Sequence, residues 1–237
     1  MSAPPAPRRA HIDHLVVAAA SLDEGAAWCK TTLALSPGPG GQHPLFGTHN
    51  RLLRLDSPDH PQAYLEIIAI NPDATPAREA PLRRWFDLDE PAVRQQLQEK
   101  GPQLLHWVAS VPDIGAACDT WRAMGIERGA VIEASRPTPE GLLRWRITVR
   151  DDGQRLFGGC LPTLIEWGPV HPADHMPAPA LSLHSLSLSH PQADRLRDAL
   201  HAIGLTEIAV RVGPAGLHAD LSNPAGATTA LHFQESP

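Results

Sequence analysis

Along HIDHLVVAA, residues 11–19, polar positions give way to an apolar run. The alternation of a strand puts His11 and Asp13 on one face and Ile12, His14 and Val16 on the other. The following SLDEGAAWCKTTLAL switches to helical spacing, with Ser21 as N-cap and Glu24 three residues on. The same plan returns twice. LLHWVASVPDIGAACDTWRAMGI (104–126) has a strand histidine, an acidic cap at Asp113 and a helix stopped at Gly125, and LSLHSLSLSHPQADRLRDALHAIGL (181–205) repeats the arrangement. From the strand histidine to the small residue after each helix the separation is 20 for His14 to Ala34, 19 for His106 to Gly125 and 20 for His184 to Gly204, which predicts a duplicated unit.

Each unit continues through three short strand-like runs separated by turn residues. They are GGQHP, THNRLLRLD and AYLEIIAI; then AVIEAS, LLRWRITVR and TLIEWG; then IAVRV, LHADLS and TTALHF. The predicted fold class is α+β, made of βαβββ modules. Residues 1–10 form a flexible tail, 11–78 the first module, 79–101 a connecting helix, 102–170 the second module, 171–180 a proline-rich linker and 181–235 a shorter third module. Arg84 and Trp85 in the connection read as a docking contact.

Composition narrows the function classes. With 237 residues, 42% hydrophobic and 19% charged, the chain is globular, and it has no apolar run of about 18 residues to cross a membrane. MSAPPAPRRA lacks the apolar core of a signal peptide, so a cytoplasmic location is expected. A net charge of −6 without a basic stripe argues against nucleic acid as a partner. Cys29, Cys118 and Cys160 are odd in number and far apart, which reads as buried thiols rather than disulfides or a thiolate zinc site. The 13 histidines direct attention to imidazole chemistry.

In the last strand of the first two units a glutamate interrupts an apolar run, Glu66 in AYLEIIAI and Glu166 in TLIEWG. A buried carboxylate needs an ion pair, an exposed face or a cation. With the first-strand histidines they form the set His14, Glu66, His106 and Glu166, two imidazoles and two carboxylates suited to divalent manganese, iron, cobalt, nickel or zinc. A rival ligand pair is His11 with Asp13, completed by a distant histidine. The helix after Ser21 disagrees with the jelly-roll sheet that such a triad usually needs. His11 and Asp13 are therefore expected at the exposed start of the strand.

This plan, with the phrases HLVVAA, THNRLL, YLEIIAI, LLRWR and LPTLIEWG, resembles the vicinal oxygen chelate superfamily and within it the glyoxalase-like domain proteins, over about residues 11–170. The resemblance implies two modules paired into a cupped sheet around one divalent metal that chelates adjacent oxygens of a small-molecule substrate. It implies ligands at His14, Glu66, His106 and Glu166. Proton transfer is expected from Glu66, Glu166 or His49, and substrate binding from His43, Asn50, Arg51, Arg144 or Arg146, with Trp145 as core or pocket wall. Lyase, isomerase, hydrolase and dioxygenase chemistry all fit. The alternative is a metal-free binding protein using Trp107, Trp145 and Trp167. The third module has one apolar face to cover, either against the first two modules or in a homodimer, and its His184 and His232 are expected to bind no metal.

Overall fold

The computed structural model describes residues 9–138, 141–179 and 181–234. The first unit runs β1 (His11–Ala18), α1 (Leu22–Thr32), β2 (Gln42–His43), β3 (Thr48–Asp56) and β4 (Tyr64–Ile70). Helix α2 (Pro91–Lys100) leads to the second, β5 (Gln103–Ser110), α3 (Ile114–Ala123), β6 (Ala130–Thr138), β7 (Gly141–Val149) and β8 (Thr163–Trp167). The third is β9 (Leu181–Ser189), α4 (Ala193–Ala202), β10 (Ala209–Arg211), β11 (Gly216–Ser222) and β12 (Thr228–Gln234). The α+β class and the repeated βαβββ plan are both present. No helix among the described residues is long and apolar enough to cross a membrane.

The caps sit where the polar pattern expects them. Ser21 Oγ accepts from the Glu24 backbone N–H at 3.2 Å, and Asp113 Oδ1 accepts from that of Ala116 at 3.0 Å. Helix α1 lies close on the sheet because position 25 is glycine, where a Cβ would meet the Ile67 side chain at 2.4 Å.

The strands form one sheet in the order β12-β11-β9-β3-β4-β1-β5-β8-β7-β6. Antiparallel pairing of β1 with β5 joins the first two modules, and parallel pairing of β3 with β9 attaches the third. Leu15, Val17, Leu65, Ile67 and Trp107 belong to the face that carries the helices. On the opposite, inner face the register aligns Leu52 with Glu66, Glu66 with Val16, and Val16 with His106.

Strand β1 departs from simple alternation. Its register shifts between Ile12 and His14, so that Ile12 pairs with Ala109 while His14 pairs with Val108 and Asp13 is the extra residue of a bulge. The bulge turns Asp13 onto the face of His14. The expectation that Asp13 stays with His11 at an exposed strand start is therefore corrected: Asp13 is fully buried.

The connection also differs from a helix over 79–101. Pro91 at its first turn starts α2, and Trp85 and Phe86 before it are buried beneath the sheet, with the Phe86 ring 5.0 Å from that of His106. Asp87 anchors this turn by pairing with Arg155 at 2.8 Å. The third module covers its apolar face within the same chain: Trp121 Nε1 donates to the Ala199 carbonyl at 2.7 Å, and the Arg155 guanidinium lies 4.9 Å over the Phe233 ring. Leu183, Leu186, Leu188 and Leu196 are buried in the shared core.

Candidate active site

Seven strands of the first two modules converge on a small chamber of about 40 Å³, room for a few waters. Its polar end belongs to the first module, with His14 from β1, His43 from β2, Asn50 from β3, and Tyr64 and Glu66 from β4. Its other walls are apolar: Leu143, Trp145, Ile147, Ile165 and Trp167 from the second module, closed by Trp85 and Phe86. Arg136 reaches in from β6.

The imidazole of His14 is fixed from behind. Its Nδ1–H donates to Asp13 Oδ1 at 2.6 Å, and its ring stacks on Tyr64 with centroids 4.5 Å apart. Asp13 also accepts from Trp167 Nε1 at 2.7 Å and from His171 Nε2 at 3.2 Å, residues contributed by β8 and the linker. Burial alone would raise the pKa of Asp13, but hydrogen bonds and charge from His14 and His171 outweigh it and hold the carboxylate well below its usual range. A carboxylate on Nδ1 leaves Nε2 as the free lone pair. That nitrogen faces Glu66 Oε2 at 3.6 Å.

Glu66 is buried, and its Oε1 accepts from Asn50 Nδ2 at 2.6 Å. Asn50 is itself oriented, since its Oδ1 accepts from the Gly41 N–H at 2.7 Å and its amide also approaches His43 Nε2 at 3.3 Å. Burial, opposed by the charge of Glu66, lowers His43 to about 4, so this ring is neutral near pH 7. Burial raises Tyr64 well above its ordinary value, and its hydroxyl stays protonated.

Of the residues singled out in the sequence, His14, His43, Asn50, Glu66, Trp85, Trp145 and Trp167 are brought together. His106 lies on the inner face yet has both ring nitrogens committed. Nδ1 donates to the Gly159 carbonyl at 3.0 Å, while Nε2 accepts from the Thr163 N–H at 3.2 Å, and burial with Arg128 and Arg155 nearby holds the ring neutral. Glu166 alternates to the helix-bearing face, because its neighbours Ile165 and Trp167 point inward. There it accepts from the Ile114 N–H at the start of α3 at 2.8 Å and pairs with Arg146 at 3.1 Å. His49 and Arg51 alternate with Asn50 and point away from the chamber, and Arg144 is exposed. The expected four-ligand set therefore does not meet at one point. Among the described residues no group of three or more His, Cys, Asp or Glu is arranged to hold a metal ion.

The sequence pattern places Asp13 with His11 at an exposed strand start, and it does not single out Tyr64, Arg136 or His171. Tyr64 was within reach of it, two residues before Glu66 and so on the same strand face. Asp13 is masked by the bulge, and nothing local marks Arg136 or His171.

A family model described as a glyoxalase-like domain matches residues 12–204. No curated protein matches the chain. A hypothetical protein from Staphylococcus aureus is similar in structure over 93% of this chain and 85% of its own, with a TM-score of 0.58 at 15% identity. Methylmalonyl-CoA epimerase from Streptomyces coelicolor, in complex with 2-nitronate-propionyl-CoA, aligns with 68% of this chain and 96% of its own at a TM-score of 0.42 and 20% identity. The enzyme of that name from Mycobacterium tuberculosis aligns with 70% and 91% at a TM-score of 0.37 and 18% identity. At 15% identity the likeness to the Staphylococcus aureus protein is one of fold.

Proposed function

The chain belongs to the glyoxalase-like domain family of the vicinal oxygen chelate superfamily, and from that premise we propose that it is an enzyme that moves protons between adjacent oxygen-bearing carbons of a small molecule. One observation carries this: the Nε2 lone pair of His14, fixed by buried Asp13, faces the Glu66 carboxylate at 3.6 Å across a small chamber with largely apolar walls. Two acceptors face each other there, so a proton or a substrate hydroxyl belongs between them.

For a substrate with a hydroxyl on the carbon next to a carbonyl, Glu66 removes the C–H proton and the electron pair moves onto the carbonyl oxygen, giving an enediolate. His14 Nε2 accepts the hydroxyl proton, and Asp13 stabilises the resulting imidazolium. Delivery of that proton to the other oxygen, and of the Glu66 proton to the neighbouring carbon, completes an isomerisation with no other reactant. Asn50 holds Glu66 in place, and the indoles of Trp145 and Trp167 form an apolar wall beside it. His14 and Glu66 are the two donors left for a divalent ion, because His106 and Glu166 of the family set are committed elsewhere. The set does not fit a four-ligand metal.

The test is exchange of the α-proton for deuterium in a panel of 2-hydroxyketones and 2-oxo acids, followed by proton NMR. Wild type is expected to exchange at least one of them, and Glu66→Gln and His14→Gln to slow it by about 10²-fold or more. No exchange anywhere in the panel, or equal rates in the variants, would overturn the proposal in favour of a binding protein on the same fold.

A further inference from the structure

We propose that Arg136 binds a substrate carboxylate, which makes the substrate a short carboxylate whose adjacent C2 and C3 carry the hydroxyl and the carbonyl; this rests on the proton-transfer function above. Among the described residues Arg136 is the only lysine or arginine that lines the chamber. Among the described residues it has no ion pair and no side-chain hydrogen bond, although it is partly buried and carries five N–H donors. Buried Glu66 shares the chamber but lies beyond ion-pair distance of it. The guanidinium is thus left without an anionic partner in the chamber that holds the His14–Glu66 pair.

The approach of Arg136 is built into the backbone. It extends from the second module across to the Gly40–Gly41 segment of the first, where a Cβ on Gly41 would fall 1.4 Å from Arg136 Nη1. Only glycine leaves the guanidinium its place. Of the arginines that the sequence offered for a carboxylate, Arg51 and Arg144 are exposed and Arg146 is paired with Glu166. An anion-binding fork beside a proton-transfer pair, in a chamber with room for a few heavy atoms, matches a carboxylate attached directly to the oxygen-bearing carbon.

Calorimetric titration of the full chain with acetate, glycolate, glyoxylate and pyruvate, each against its primary amide, tests this without any turnover. At least one carboxylate is expected to bind ten-fold or more tighter than its amide. In Arg136→Met that ratio should fall to about one, with Arg136→Lys in between. Gly41→Ala, which displaces the guanidinium without removing it, should lower the ratio as well and covers the case in which Arg136→Met fails to fold. No carboxylate preference in wild type, or a preference that survives both Arg136→Met and Gly41→Ala, overturns the assignment. Preference for the carboxylate without deuterium exchange would remove the proton-transfer function and keep Arg136 as the anion site; exchange indifferent to Arg136→Met would do the reverse.

Discussion

Asp13 remains an ion without solvent contact because three N–H donors, from His14, Trp167 and His171, converge on its two oxygens. Removing it strands those donors, so Asp13→Ala should cost about 3 kcal/mol in urea unfolding, whereas the near-isosteric Asp13→Asn should cost less. Asn can donate back to His14 and reverse its tautomer. We therefore expect Asp13→Asn to keep the fold, to slow deuterium exchange by about 10²-fold or more, and to move the His14 ¹⁵N shifts toward the other tautomer. Unchanged shifts with unchanged exchange would deny Asp13 its orienting role. His43 sets a pH dependence of stability. Its folded value of about 4 lies below the ordinary 6.5, so the unfolded chain takes up protons that the folded chain refuses in that window. Stability should therefore fall as pH drops from about 7 to 5, by about 2 kcal/mol for this group alone, with His106 acting in the same direction. Asp13 adds to the loss only below its unfolded value near 4, where the carboxylate of the unfolded chain protonates first. Urea titrations at pH 7 and pH 5 measure this, and a flat profile would contradict it.

At the scale of elements, one extra residue and one residue of phase decide the site. The β1 bulge brings Asp13 beside His14, and strict alternation in β8 turns Ile165 and Trp167 inward and Glu166 outward. Glu166 works on α3, where its carboxylate meets the Ile114 N–H in the first turn. Glu166→Gln should accordingly cost roughly 1 kcal/mol or less and leave exchange at the wild-type rate, while Glu66→Gln abolishes most of it. Comparable loss of exchange in the two variants would restore Glu166 to the chemistry. The cap at Ser21 is worth about 1 kcal/mol by the same measurement in Ser21→Ala.

Over the whole molecule, the third module is part of the shared core rather than an appendage. Parallel pairing of β3 with β9, the Trp121–Ala199 hydrogen bond and the Arg155–Phe233 contact all cross to it. A stop codon after Ala178 would uncover the side chains that pack beneath it, including Trp121, and leave β3 an open edge. The truncated chain is expected to aggregate or to melt well below the full chain, by light scattering and circular dichroism. A soluble fragment with the melting temperature of the full chain would show that the module adds no cover.

The three βαβββ units, the helix caps at Ser21 and Asp113, and the pairing of a strand histidine with a strand glutamate in the first module were legible in the sequence. Each follows from local periodicity and side-chain chemistry, which act over a few residues. What periodicity cannot carry is phase after an irregularity, so the bulge at Asp13 and the outward turn of Glu166 had to come from the register of neighbouring strands. His106 shows the same limit. Its strand face follows from alternation, but the loss of both its lone pair and its N–H to Thr163 and Gly159, 57 and 53 residues away, depends on how distant loops pack. Arg136 and His171 reach the site from a neighbouring strand and from the linker by the path of the backbone through space. The local pattern thus determined which elements form and which side chains are available for chemistry, and the packing of those elements decided which of them meet.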